Sequence, residues 1–231
     1  MKQLEKTRGS RRHTQYFLKG TLVPGVTTVT SQMDKPALAA AANRLGLRGI
    51  DSTIHWKGLA TIGSLSHLLI EHRLKGTDPT EALRDFTENE QTAARNSLRY
   101  FDEWLAGRDF KFLRSEFQLV SERHRYGGTG DCLAIINDKL TYCDFKTGGL
   151  YLEAELQGAA NAELLNENGL GTIEQVILLG LPRVADETFH QKVITDWSDL
   201  FGLFLALREV YGRKQGIESR AKKAKKEQEA A

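Results

Sequence analysis

Two cysteines, a formal charge of +2 and no long apolar run in 231 residues exclude several kinds of protein at once. Cys132 and Cys143 are too few for a four-cysteine zinc or iron–sulfur site. With net charge near zero, any affinity for nucleic acid must come from a local patch. No uncharged run approaches the ~18 residues of a membrane-spanning helix, and no signal-peptide pattern is present. The expectation is therefore a cytoplasmic protein with no membrane segment. Internal repeats are also absent. The length suits one sizeable α/β domain or two small ones, and 40% hydrophobic with 27% charged residues is ordinary for a globular chain.

What is present centres on Tyr126 to Gly148, YGGTGDCLAIINDKLTYCDFKTG. It reads as two apolar strands, Asp131 to Ile136 and Lys139 to Phe145, joined at Asn137-Asp138, a favoured type of two-residue hairpin connection. If Ile136 pairs with Lys139, Asp144 becomes the cross-strand neighbour of Asp131, on the same face of the sheet. The period of two puts Lys146 on that face as well. Facing carboxylates repel, and a divalent cation between them removes the repulsion; hard oxygen ligands suit Mg2+ or Mn2+. Lys146 would hold or polarise a water on that metal. The plainer alternative is a surface hairpin with solvated Asp and Lys. Gly127, Gly128 and Gly130 allow backbone or ligand to approach closely. In the same register Cys132 and Cys143 face each other on the opposite side, where a disulfide is sterically conceivable and buried thiols in a reducing cytoplasm are the expectation.

Residues 1–13 are basic and read as a flexible arm. Phe17 to Thr30 suggests a loop leading into a short extended segment. Asp34-Lys35-Pro36 opens an alanine-rich helix that Gly46 can close. A second helix runs from about Trp56 to Lys75, with Leu59, Ile62, Leu65 and Leu69 as its apolar stripe. His67 lies on a neighbouring face, and Gly63 leaves room above the imidazole for a ligand or a strand. Asp78-Pro79 starts another helical stretch, and Thr87 to Glu90 has capping-box spacing for its continuation to Ala106-Gly107. Leu98, Phe101, Trp104 and Leu105 form its buried face. Phe112 to Arg123 is extended. Past the hairpin come a helix over Leu152 to Leu165, a buried strand over Gln175 to Leu181, a strand over Phe189 to Thr195 and a helix over Trp197 to Tyr211. Residues 213–231 form a basic, mobile tail. The fold expected is a single α/β domain over 14–212, a mixed central sheet flanked by helices.

These pieces together resemble the PD-(D/E)XK nuclease superfamily, in particular the RecB-type branch with phage recombination and CRISPR-adaptation exonucleases. The likeness spans roughly Val23 to Tyr211. It rests on ordered motifs: Gly63-xxx-His67, Glu116, Gly128-Thr129-Gly130-Asp131, Asp144-Phe145-Lys146-Thr147 and Gln157. Val26-Thr27-Thr28-Val29 also resembles the phage members. The resemblance implies a restriction-endonuclease-like core. It implies Asp131 and Asp144 as metal ligands with the Phe145 carbonyl, and His67 as a further ligand. Lys146 would orient the attacking water, Glu116 would bind a second metal or a metal-bound water, and Gln157 would steady the site or contact DNA. Where the family often has tyrosine four residues after that glutamine, this chain has Asn161. Members with an iron–sulfur cluster carry four cysteines, so that cofactor is not expected here.

The activity implied is an Mg2+- or Mn2+-dependent deoxyribonuclease, an exonuclease on linear DNA ends in phage-type or bacterial recombination or repair. A recombination protein would be a further partner, and the cytoplasm of a bacterial host cell the setting. The alternatives are a structure-dependent endonuclease, a catalytically silent DNA- or partner-binding module, or a calcium-binding structural protein. Lys57, Arg73, Lys111, Arg114 and Arg125 are candidates for the DNA path.

Overall fold

The computed structural model describes residues 14–229; residues 1–13, read above as a flexible arm, and 230–231 lie outside the described residues. The chain opens with a small hairpin, β1 (Tyr16–Leu18) and β2 (Thr21–Val23). It turns at Lys19 and Gly20, both at positive φ. Val26–Thr30 then forms a short helix, α1, where an extended segment is expected from its β-branched residues. Burial overrides propensity: Val26 and Val29 share a core cluster with Ala160, Leu164 and Phe204. Helix α2 (Pro36–Leu47) starts with proline in its first turn, but no side chain caps it and Gly46 lies inside it. None of its residues is buried.

Helix α3 (Ser52–Lys75) begins one turn before the predicted Trp56, because the Asp51 carboxylate accepts the Thr53 and Ile54 N–H groups at 2.7 and 3.1 Å. It ends at Gly76 in the left-handed conformation. After a short α4 (Thr80–Leu83), α5 (Glu88–Leu105) starts from a complete capping box between Thr87 and Glu90. Phe101 and Trp104 are buried, while Leu98 and Leu105 are only partly so.

The central sheet follows: β3 (Phe110–Ser121), β4 (Tyr126–Ile136), β5 (Lys139–Thr147), then helix α6 (Leu152–Glu167), β6 (Gln175–Leu181) and β7 (His190–Ile194). The strand order is β3-β4-β5-β6-β7; only the β5–β6 pair is parallel, and α6 makes its crossover. Cys132, Ala134, Cys143, Phe145, Ile177 and Leu179 face Ile70 of α3 and Phe101 and Trp104 of α5. Leu133, Tyr142, Val176 and Leu178 face Ala154, Ala162 and Leu165 of α6. This is a mixed sheet between helical layers, as the sequence implied.

Helix α7 (Ser198–Glu229) buries Phe204 and continues through the basic segment as an exposed helix. No helix among the described residues is long and apolar enough to cross a membrane.

Candidate active site

The turn residues Asn137 and Asp138 both have positive φ, 49° and 64°, as a tight two-residue hairpin requires. They fix the register. Cα pairing of β4 with β5 runs from Ile136↔Lys139 to Cys132↔Cys143 and stops. Beyond that rung β4 stays with β3 as far as Tyr126, and β5 stays with β6 as far as Thr147. The strands therefore fork at Asp131 and Asp144. Across the fork the Asp131 carboxylate (Oδ2) accepts the Phe145 N–H at 2.9 Å, in place of a ladder bond.

Three side chains gather at the fork. Asp131 Oδ1 is 3.3 Å from His67 Nδ1, without hydrogen-bond geometry, so Nδ1 is a buried ring nitrogen with unmet bonding capacity. A carboxylate oxygen of Glu116 joins them, the three donor atoms lying within 4.8 Å of one another. Glu116 has φ of 49°, and β3–β4 pairing skips from Ser115↔Cys132 to Phe117↔Gly130 around it. Left-handed backbone at a non-glycine residue costs on the order of 1–3 kcal/mol and recurs where a side chain is re-aimed for function. Burial alone would raise the pKa of Asp131, but His67, Lys146 and the Phe145 N–H together hold it well below the ordinary carboxylate range.

Asp144 is 3% exposed and lies outside this trio. Its Oδ2 is 2.6 Å from Lys146 Nζ, and its Oδ1 accepts the Tyr142 hydroxyl at 3.2 Å. Tyr142 in turn accepts a bond from Asn161 Nδ2 at 2.9 Å. Burial and the Asp131 charge push Asp144 up, against the opposing pull of Lys146. Burial would lower Lys146, but Asp144 and Asp131 outweigh it and keep the ammonium protonated.

The glycines of the sequence motif admit protein atoms. A Cβ on Gly127 would lie 2.3 Å from the Tyr16 ring, one on Gly128 2.3 Å from Asn161 Oδ1, and one on Gly130 2.3 Å from the Phe117 ring. The room beside Gly63 is taken by a strand, with Thr147 Oγ1 3.1 Å from the position of an added Cβ. Gln157 donates to Thr30 Oγ1 at 3.2 Å; Thr30 donates to Glu153, which also pairs with Lys35 at 2.6 Å.

His67, Glu116, Asp131, Asp144, Lys146 and Gln157 line one cleft of about 840 Å³. Phe145 contributes its N–H, while its ring sits in the core, 6.2 Å from the His67 ring centroid. None of Lys57, Arg73, Lys111, Arg114 and Arg125 lines the cleft, and Arg73 is paired with Asp102 at 2.9 Å. Glu116, Asp131, Asp144 and Glu153 put four carboxylates on the cleft wall against one lining ammonium, Lys146, which is itself paired with Asp144, so the cleft repels anions unless a cation enters. The carboxylates of Glu116 and Asp131 beside an unsatisfied imidazole nitrogen fit a divalent cation. Sequence reasoning did not single out Tyr142 or Glu153. The available signal for Tyr142 was its place two residues before Asp144, on the same strand face.

Neither a protein-family model nor a curated relative matches the chain. Among solved structures it is similar to a candidate exonuclease from Eubacterium rectale, with a TM-score of 0.46 at 12% identity, over 66% of this chain and 65% of that one. It is also similar to the protein SSO0001, with a TM-score of 0.41 at 17% identity, over 80% of this chain and 72% of that one. The chain thus spans less than two thirds of the first of these.

Proposed function

We propose that the chain is a divalent-cation-dependent deoxyribonuclease that hydrolyses phosphodiester bonds from the ends of linear DNA. The observation that carries this is the convergence of Glu116, Asp131 and His67 with Lys146 in one cleft, at the fork of β4 and β5. The ordered sequence motifs support the choice of DNA and of an end-directed reaction in recombination or repair.

The chain's own groups divide the work. Glu116, Asp131 and His67 would hold the cation, with Asp144 in the same cleft. When bound, Mg2+ or Mn2+ supplies positive charge for the phosphate and a more acidic water. Lys146, kept protonated by Asp144, donates hydrogen bonds to orient the water or a phosphate oxygen. Asp131 is tied to the Phe145 N–H, so the orientation of this one ligand is fixed by main chain.

End-labelled linear duplex DNA incubated with Mg2+, Mn2+ or EDTA tests the reading, with closed circles as control and Asp131→Asn and Lys146→Ala proteins alongside. Metal-dependent release of nucleotides from linear DNA alone, lost in both variants, is the expected result. Cutting of circles would make the enzyme an endonuclease. DNA binding without hydrolysis by folded protein would make it a silent module.

A further inference from the structure

The departure at Asn161 has a partner inside the cleft wall. Asn161 is buried, its Nδ2 donates to the Tyr142 hydroxyl oxygen, and that hydroxyl donates to Asp144 Oδ1. The order of donors matters. An amide N–H pointed at the phenol oxygen occupies an acceptor position there and leaves the phenol hydrogen for the carboxylate. Asp144 then has one oxygen anchored to Tyr142 and the other 2.6 Å from Lys146. Gly128 completes the arrangement, since any side chain there would collide with Asn161 Oδ1.

We infer that Asn161 and Tyr142 are positioning residues: a directed chain from Asn161 through Tyr142 to Asp144 sets the carboxylate that places the Lys146 ammonium in the cleft. The inference rests on the hydrolytic reading above. It assigns a use, in the wall of the cleft, to the residue at which the sequence departs from its resemblance. Tyr142→Phe removes the link. Asn161→Asp keeps the size but replaces the donor with an acceptor, which draws the phenol hydrogen away from Asp144.

The test combines kinetics on linear DNA with Mg2+ and crystal structures of the same proteins. Loss of a hydrogen-bonded support behind a reacting group costs about 10- to 100-fold. Tyr142→Phe and Asn161→Asp should each lower kcat by that factor with KM changed less than about threefold, and the double variant should be no worse than the poorer single one. A purely structural role would lower thermal stability, with additive losses. In the crystals the Asp144 carboxylate should rotate and its contact with Lys146 lengthen. Asn161→Ala, which lacks the donor and adds no charge, serves where Asn161→Asp does not fold. An unmoved Asp144 in Tyr142→Phe overturns the inference, as does wild-type kcat in either variant. If the wild-type protein hydrolyses no DNA, the hydrolytic reading fails, and the position of Asp144 in the crystals alone decides the positioning claim.

Discussion

Asp131 receives a main-chain N–H bond from Phe145 at the point where their strands separate. One carboxylate oxygen is thus spent on holding the two arms of the fork at a fixed spacing, and the other is turned toward His67 and Glu116. Asp131→Asn keeps an oxygen for Phe145 but removes the charge. It should fold and should lose Mn2+ affinity by at least tenfold, read by calorimetric titration.

Divalent metal should stabilise the native protein by mass action, because the three donors come from α3, β3 and β4 and are together only when it is folded. At a Mn2+ concentration of about 100 times Kd the gain is about 2.7 kcal/mol. Thermal melts with Mn2+ and with EDTA should differ for wild type and coincide for Asp131→Asn.

Two glycine substitutions should act in opposite directions. Gly127→Ala drives a methyl into the Tyr16 ring and should cost about 1–3 kcal/mol in urea unfolding. Gly58→Ala, inside α3 with nothing within 4 Å of an added Cβ, should stabilise by about 0.5–1 kcal/mol.

Glu167 carries an acid-sensitive part of the stability. Burial alone would raise its pKa, but the Ser121 hydroxyl and the N–H groups of Arg123 and Glu122 bring it below the ordinary 4.5. A depressed folded-state pKa contributes fully above the unfolded value and is lost as pH falls through the folded one. The stability advantage of wild type over Glu167→Gln should therefore be constant near neutral pH, begin to fall as the pH drops below the ordinary 4.5, and vanish once the pH has passed through the lowered folded-state pKa. Glu167 is exposed, so solvent screening keeps the contribution under about 1 kcal/mol.

Much of this was legible in the residues. Asn137-Asp138 set a register that the structure follows to Cys132↔Cys143, and the capping box at Thr87 starts α5 where it was read. The fork was not legible, because alternation says which face a residue takes and not where two strands stop pairing. Glu116 could be named but its left-handed backbone could not, since that conformation is held by its neighbours. Val26 to Thr30 misled for a similar reason, its β-branched residues being recruited as a helix by the α6 and α7 core. The glycines were read as allowing backbone or ligand to approach closely; what approaches is the side chains of Tyr16, Asn161 and Phe117, each distant in sequence.

Cys132 and Cys143 form the last rung before the fork, both fully buried, with the Cys143 thiol pushed up by its bond to Cys132 and by burial. A thiol reagent can reach them only when the sheet breathes at that rung. The pair is thus a native clock: its alkylation rate times how often the fork springs open, with no label added to the protein.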